Sequence, residues 1–403
     1  MWVSEGRILE TDRLATNSNV RFRKVTMIYL DNAATTALHE SVLERMLPYF
    51  SADFGNPGSV HAAGRTALHA VMNARATVAE CLGCTPRQIV FTSGGTEADN
   101  QALATGAEFG RRAHRMRMVA SSIEHPAVLR ALDYWEAQGF VITLVNPDET
   151  GVVSARAIEA VLDGDVCLVS VMTANNETGV LQPVAEIAQV THGAGALFHT
   201  DAVQAAGHVR LDAEALGVDM LSISAHKFHG PKGVGALVCR TREGAEPIVY
   251  GGGQERGRRS GTENVPGIVG LAVALEEACE TVEENATRVR GLRDRLEEQL
   301  EQIEGAYVVG KAAPRVPGIS NVCFEGLDHQ VLIPLLDARG VCASAGSACS
   351  AGAVKTSHVL RAMGISESLA KGAVRFSFSV DTTQEDGDAA AAAMCESVVS
   401  FKR

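Results

Sequence analysis

The amino-acid sequence predicts an α/β protein: a large domain with a mainly parallel sheet, joined to a smaller α+β domain. Three observations predict this class. Short apolar runs of strand length alternate with longer segments of helical period between about residues 38 and 270. One long amphipathic pattern follows, and the rest of the chain mixes two further strand-like runs with helical segments. Apolar strands separated by helices are typical of parallel sheets covered on both faces.

The strands of the large domain are predicted from six apolar runs. They lie at residues 88–92, 117–120, 141–145, 166–171, 196–199 and 220–224. Each run is short, rich in Val, Ile, Leu or Phe, and followed by small or polar residues. Because ligands of such sheets bind beyond the carboxyl ends of the strands, the residues just after each run are the candidates for function.

The connection to the second domain is predicted as one helix from Leu271 to about Glu304, since apolar or small residues recur there in steps of three or four. Strand-like runs at 319–324 and 374–378 and a final Ala-rich helix from Glu385 follow. The predicted organisation is a loosely held arm at 1–26, a large domain at 38–285, and a small domain made of 27–37 and 286–403.

Composition excludes several classes of protein. The net charge of 36 − 48 = −12 disfavours broad binding to a nucleic-acid backbone. No apolar run approaches the roughly 20 residues that span a bilayer. Nine cysteines without a pattern, and no apolar stretch in the first 26 residues, predict a cytoplasmic protein with mostly reduced thiols. Only seven of the 36 cations are lysines, so chemistry that needs a deprotonated amine has few candidates.

Three strand ends carry groups that belong together chemically. Residues 92–100 open a helix with small and hydroxyl residues, which suits a phosphate, although a simple capped turn would read the same. The segment has no P-loop lysine. Asp201 ends a buried strand, and Ser224, His226 and Lys227 follow the next one. Phosphate donors, a buried acid and a lysine are what a protein needs to hold pyridoxal phosphate.

Further candidates surround this set. His125 follows a strand and can lie over a flat ring, although a lone histidine is more often structural. Asn176 offers an amide, and Arg375 within an apolar strand calls for a carboxylate. Cys349 stands among small residues that cannot build a core, which predicts a mobile surface loop. Cys81 and Cys84 have C-x-x-C spacing but no second pair, so a metal or redox role is disfavoured.

In these motifs the chain resembles the NifS/IscS-type cysteine desulfurases of the class V aminotransferase superfamily, over nearly all of residues 28–385. The matching segments are residues 30–36, 54–57, 93–100, 124–125, 175–177, 201–204, 224–227, 251–256, 259–262, 346–349, 357–361 and 375–377. The resemblance implies a fold-type I architecture for pyridoxal 5'-phosphate enzymes, with a seven-stranded sheet, and a homodimer.

The resemblance also implies a role for each matching residue. Lys227 would form the Schiff base, Asp201 would pair with the pyridine nitrogen, and His125 would stack on the ring. Asn176 and Gln204 would bond the ring oxygen. The phosphate would be held by Gly95, Thr96, Ser224 and His226, with Thr262 from the other subunit. The substrate carboxylate would be held by Asn32, Asn56 and Arg375. No resident metal is implied, although Cys349 could transiently ligate an iron–sulfur cluster.

The activity implied is removal of sulfur from L-cysteine, which gives L-alanine and a persulfide on Cys349. Lys227 would move the α-proton and His125 the thiol proton. The sulfur would pass to an iron–sulfur scaffold or a tRNA-thiolation enzyme, and the sequence does not distinguish these acceptors. Selenocysteine lyase activity shares the machinery. An ordinary class V aminotransferase would not need Cys349, and a non-catalytic sulfur-relay protein would not need Lys227.

Overall fold

The computed structural model describes residues 27–346 and 356–401. Its strands, numbered in chain order, are β1 (Ile28–Tyr29), β2 (Ile89–Thr92), β3 (Arg117–Ser121), β4 (Val141–Val145), β5 (Val166–Ser170), β6 (Leu197–Asp201), β7 (Met220–Ser224), β8 (Gly235–Cys239), β9 (Ala306–Val308), β10 (Ile319–Phe324), β11 (Val341–Cys342) and β12 (Ala373–Ser377). All six predicted strands of the large sheet are present, and β8 is an addition that the sequence did not indicate.

The helices of the described residues are α1 (Glu40–Met46), α2 (Pro48–Ser51), α3 (Ala62–Cys81), α4 (Gly95–Ala113), α5 (Pro126–Ala137), α6 (Ala155–Glu159), α7 (Val184–Gly193), α8 (Val265–Glu280), α9 (Val282–Leu300), α10 (His329–Asp337), α11 (His358–Ala362), α12 (Glu367–Ala370) and α13 (Gln384–Phe401). Short 3-10 turns lie at Pro86–Gln88, Ala225–Lys227 and Gln254–Gly257. Within the described part of the chain, no helix is both long and apolar enough to cross a membrane.

The central feature is a seven-stranded sheet with the order β2-β8-β7-β6-β5-β3-β4. The pairs among β7, β6, β5, β3 and β4 are parallel, whereas β8 is antiparallel to both β7 and β2. The carboxyl ends of β2, β3, β5, β6 and β7 therefore meet at one edge. The prediction of a mainly parallel seven-stranded sheet is confirmed.

Two smaller sheets lie beyond residue 300, one of them with a strand from the start of the chain. β9, β10 and β12 form an antiparallel sheet of order β12-β10-β9. β1 pairs in parallel with β11, and bridges from Asp31 to Ser377 and from Ser344 to Arg375 join the two sheets. The first strand of the chain is thus tied to one of the last.

The buried apolar residues form one cluster beside the smaller sheets and a larger one on the seven-stranded sheet. One cluster gathers Leu30 with residues from Val289 to Val398 beside the smaller sheets. The larger cluster packs on the seven-stranded sheet, but it also takes in residues from Val309 to Ala373. The boundary predicted near residue 285 is therefore crossed by packing, and the division into two domains stays a prediction.

The single long helix predicted from Leu271 to Glu304 is wrong. The structure has two helices, α8 and α9, which break at Thr281 with φ −114° and ψ 11°. The Thr281 hydroxyl donates to the carbonyl of Glu277 at 3.0 Å and accepts from the amide of Asn285 at 2.8 Å. Such local side-chain bonds compete with helical geometry at a β-branched residue, which explains the break.

Candidate active site

A cavity of about 890 Å³ lies at the carboxyl edge of the large sheet. Most of the residues predicted from the sequence line it: Gly95, Thr96, His125, Asn176, Asp201, Gln204, Ser224, His226, Lys227 and Arg375. Their convergence follows from the topology, because the loops after parallel strands emerge at one edge.

The turn between β2 and α4 lines the cavity with Gly95 and Thr96. Gly94 has φ 153°, a conformation open to glycine, and α4 begins at Gly95 and continues for 19 residues. The free backbone N–H groups of its first turn and the helix dipole favour an anion there. A Cβ on Gly235 of the neighbouring strand would lie 2.7 Å from the backbone of Gly94, so the two glycines let the turn sit close to β8.

Asp201 is the buried acid at the end of β6. Its carboxylate accepts a hydrogen bond from the backbone N–H of Val203 at 2.9 Å, and the residue is 4% exposed. Burial raises the pKa of Asp201, while the nearby His125 and Lys227 act to lower it. A positively charged ligand atom beside this carboxylate would offset the cost of its burial.

Lys227 places its amine at the centre of the cavity wall. The Nζ atom donates to the backbone carbonyls of Ala33 at 2.6 Å and Ala34 at 2.8 Å. The side-chain amide of Gln204 donates to the same Ala33 carbonyl at 2.8 Å. The segment after β1 thus orients the amine through two backbone carbonyls.

Two histidines line the cavity near Lys227. His125 caps α5, and its Nδ1 accepts the backbone N–H of Ala127 at 3.1 Å, so Nδ1 carries no proton in this geometry. Burial lowers the pKa of His125, although Asp201 acts to raise it. His226 bonds Thr35 through Nδ1 at 3.1 Å, and burial lowers its pKa to about 4. His226 is therefore neutral at pH 7.

Arg375 forms the side of the cavity nearest to the smaller sheets and is 2% exposed. Its guanidinium donates to Asp31 Oδ1 at 2.9 Å, to the Asn176 carbonyl at 2.8 Å and to the Gly346 carbonyl at 3.3 Å. Its Nε atom is buried without a hydrogen-bond partner among the described residues. The carboxylate partner expected for this arginine exists as Asp31, and the Nε–H donor remains for a ligand.

Three predicted residues of the described part of the chain, Asn32, Asn56 and Thr262, do not line this cavity. The Asn32 amide donates to the carbonyls of Tyr29 at 3.2 Å and Ser377 at 2.8 Å. Asn56 is exposed and accepts from the backbone N–H of Gly58, and Thr262 is also exposed. Cys349 lies outside the described residues. Gly346 and Thr356, the described residues nearest to it along the chain on either side, line the cavity.

Several buried groups of the site had no individual role in the sequence analysis. Asp99 lies on α4, where its Oδ1 has no hydrogen-bond partner among the described residues and lies 3.6 Å from Nε2 of His199. Burial together with Asp201 raises the pKa of Asp99 well above the usual value. The side chain of Glu177 accepts from Ser357 at 2.5 Å, and His358 donates to the Glu124 carbonyl at 3.0 Å. A carboxylate on the otherwise small and apolar face of α4 was the signal that could have indicated Asp99.

One protein-family model matches most of the chain. The model described as Aminotransferase class-V matches residues 28–389. The chain belongs to the class-V aminotransferase family. The cysteine desulfurase IscS of Methanosarcina thermophila is 44% identical to this family member over 361 residues, which cover 90% of this chain and 89% of the relative.

Two solved structures have the same fold as this chain. A NifS-like protein superposes with a TM-score of 0.87 and 39% identity, covering 93% of this chain and 100% of its own. SspA in complex with cysteine superposes with a TM-score of 0.77 and 35% identity, covering 87% and 98%. This class-V aminotransferase is therefore of the NifS/IscS cysteine desulfurase type, and the resemblance inferred from the motifs is confirmed.

Proposed function

We propose that the protein is a cysteine desulfurase that uses pyridoxal 5'-phosphate to convert L-cysteine to L-alanine, and that Cys349 takes up the sulfur as a persulfide. The observation that carries this proposal is the convergence of a lysine amine, a buried carboxylate and a helix N-terminus on one cavity. The names of the relatives, cysteine desulfurases among them, support the same reaction.

The residues of the cavity fit the cofactor. The first turn of α4, with Gly95 and Thr96, would hold the phosphate together with Ser224 and His226. Asp201 would neutralise a protonated ring nitrogen, which its burial at 4% exposure favours. The ring face would lie against His125 and the ring oxygen near Asn176 and Gln204, with Lys227 as the covalent attachment. When bound, the cofactor supplies an acceptor for the electrons released at the substrate's α-carbon.

Lys227 and His125 would handle protons. The Lys227 amine would take the α-proton of the substrate, and the carbonyls of Ala33 and Ala34 position its Nζ by accepting hydrogen bonds of 2.6 and 2.8 Å. Burial lowers the pKa of His125, so its imidazole is neutral at pH 7, with the lone pair on Nδ1. To accept the thiol proton, Nδ1 would have to release the backbone N–H of Ala127, which it now accepts at 3.1 Å.

Arg375 would bind the substrate carboxylate through Nε, which is buried without a hydrogen-bond partner among the described residues. Asn32 and Asn56 stay proposals for the same carboxylate. Asn32 donates to two backbone carbonyls and Asn56 is exposed, so either would require a rearrangement on binding.

Sulfur transfer balances without an external oxidant. The Cys349 thiolate attacks the substrate sulfur, the sulfur–carbon bond breaks, and the electron pair stays with the carbon, which takes a proton to become the alanine methyl group. The sulfur atom of the substrate stays bound to Sγ of Cys349 as a persulfide. Cys349 comes three positions after Gly346 of the cavity wall, and a chain of that length spans at most about 11 Å between Cα atoms.

We further propose a homodimer in which Thr262 completes the phosphate site of the second copy. Thr262 is exposed in its own chain, and large apolar side chains stand in solvent on α2 and α3, including Phe50 at 62% and Met72 at 56% exposure. The persulfide would pass to an iron–sulfur scaffold protein or a tRNA-thiolation enzyme. Cytoplasmic location stays a prediction.

The test combines an absorbance spectrum with product assays. Wild type should show a visible cofactor band that Lys227→Ala loses, whereas Lys232→Ala, an exposed lysine on the same loop, should keep it. Added L-cysteine should give alanine and, with a reductant, sulfide. Cys349→Ser should abolish both, and Cys395→Ser, an exposed thiol on α13, should change neither. Full sulfide release by Cys349→Ser would refute the assignment of the acceptor.

A further inference from the structure

A second cluster of ligating side chains lies outside the active-site cavity. His39 at the start of α1, His229 after the Ala225–Lys227 turn and Asp381 after β12 each place one ligand atom within 4.8 Å of the other two. Nε2 of His39 lies 3.3 Å from Oδ2 of Asp381, and Nδ1 of His229 lies 3.6 Å from the same oxygen. The reaction proposed above uses none of these residues.

The two imidazole rings are held side by side. Their centroids are 3.9 Å apart with an interplanar angle of 22°, and the backbone N–H of His39 donates to the His229 carbonyl at 3.2 Å. The ring nitrogens are thereby brought next to one carboxylate by both backbone and side-chain contacts. The arrangement therefore does not depend on the side-chain contacts alone.

The hydrogen bonds of the two imidazole rings determine which ring nitrogens keep a lone pair for a ligand. Nδ1 of His229 donates to the Ala37 carbonyl at 3.0 Å, which leaves the lone pair on Nε2. That Nε2 is buried and has no hydrogen-bond partner among the described residues. Nδ1 of His39 lies 3.8 Å from a carboxylate oxygen of Glu277. Metal-bound histidines commonly give their second nitrogen to a backbone carbonyl or a carboxylate in this way.

We propose that His39, His229 and Asp381 form a binding site for a divalent metal ion of the zinc class. Two imidazoles and one carboxylate are a ligand set that zinc accepts, with a water in the fourth position. With ligand bonds of about 2.0–2.2 Å, tetrahedral ligands stand about 3.3 Å apart, which is the distance from His39 Nε2 to Asp381 Oδ2. His229 would bind through Nε2, so the side chains of His39 and Asp381 would turn toward that atom from Nδ1, which now lies 3.6 Å from the Asp381 carboxylate.

The three proposed ligands differ in burial: one is fixed in the interior, and the other two can rotate toward a bound ion. His229 is 6% exposed and anchored at Nδ1, whereas the side chains of His39 and Asp381 are 30% and 63% exposed and can rotate. The bound ion would tie α1 and the loop after Lys227 to the turn before α13. The sequence does not indicate this site, because the three residues are 190 and 152 positions apart.

The test is a titration of the chelator-treated, cofactor-loaded protein with Co²⁺ and then Zn²⁺. Wild type should bind one ion with the weak visible absorption of nitrogen and oxygen ligands, without the near-ultraviolet charge transfer of thiolate ligands. Asp381→Asn and His39→Gln should bind at least tenfold more weakly, since each removes or weakens a ligand. Glu385→Gln, an exposed carboxylate four residues from Asp381, should bind as wild type does.

A second measurement uses the thermal unfolding midpoint. Zn²⁺ should raise the midpoint of wild type and of Glu385→Gln, and it should leave that of Asp381→Asn unchanged, because an ion stabilises only the state that binds it. Equal affinity in wild type and Asp381→Asn, or thiolate absorption alone, would overturn the proposal. The cluster would then be a set of neighbouring polar side chains that binds no ion. Either result leaves the desulfurase assignment untouched.

Discussion

Gly346→Ala tests the role of the chain that leads to Cys349. A Cβ at this position would lie 2.2 Å from Oε2 and 2.8 Å from Cδ of Glu177. Glu177 is buried and holds Ser357 by a hydrogen bond of 2.5 Å, so its carboxylate cannot simply turn into solvent. Restoring an ordinary contact of about 3.4 Å requires a shift of roughly 1 Å. This shift would lengthen the hydrogen bond between Ser357 and Glu177 or the one from Arg375 to the Gly346 carbonyl.

A displacement of about 1 Å can reduce a rate by up to about 100-fold, which corresponds to about 2.7 kcal/mol of activation free energy. We therefore expect Gly346→Ala to slow alanine formation from L-cysteine by 10- to 100-fold with an unchanged cofactor spectrum. A single-turnover assay of persulfide on Cys349 should slow equally. Gly291→Ala is the control, because its Cβ meets nothing within 4 Å. Wild-type turnover in Gly346→Ala would refute the reasoning.

Three further predictions concern buried charges. Burial raises the pKa of Glu124 to about 8, so the folded state holds a proton that the unfolded state has lost above about pH 4.5. The free energy of unfolding should thus fall by about 1.4 kcal/mol per pH unit between about pH 5 and 8, relative to Glu124→Gln. Arg75→Met leaves Glu255 buried and unpaired, and should cost about 3–5 kcal/mol in urea unfolding. The lowered pKa of His125 should place the acid limb of kcat below pH 6.5, and Asp201→Asn should move what activity remains to still lower pH.

Each of these predictions has a contradicting outcome. Identical pH dependence of unfolding in wild type and Glu124→Gln would mean that Glu124 is ionised when folded. Arg130→Ala, which breaks an exposed pair with Asp133, should cost less than about 1 kcal/mol, and an equal loss in Arg75→Met would contradict the argument from burial. An acid limb above pH 6.5 would contradict a neutral His125.

The sequence predicts the strand ends well for a physical reason. Buried parallel strands are continuous apolar runs, so the point where the run stops, at Asp201 or before Lys227, is visible without a structure. The same topology then brings these residues to one edge, where the cavity lies. The strand β8 was missed because its sequence, Gly-Ala-Leu-Val-Cys, follows directly on a glycine-rich turn without a strong boundary.

What the sequence could not predict depends on contacts between distant residues. Asp31 meets Arg375 across 344 positions, and neither residue indicates the other. The break at Thr281 depends on two local hydrogen bonds of one hydroxyl, which do not change the hydrophobic period on either side. The roles of all the site residues, including Asn32, Asn56, Thr262 and Cys349, stay predictions.

The pairing of β1 with β11 affects how the protein is made. The carbonyls of Ala33 and Ala34, which hold Lys227, directly follow β1, and the chain around them is anchored by β11 and by Ser377 of β12. A ribosome adds about 5–20 residues per second, so roughly 20–70 s separate synthesis of these carbonyls from that of Ser377. Lys227 emerges well before its surroundings are complete. The cavity in which we propose that the cofactor binds is therefore complete only after Ser377 has been synthesised.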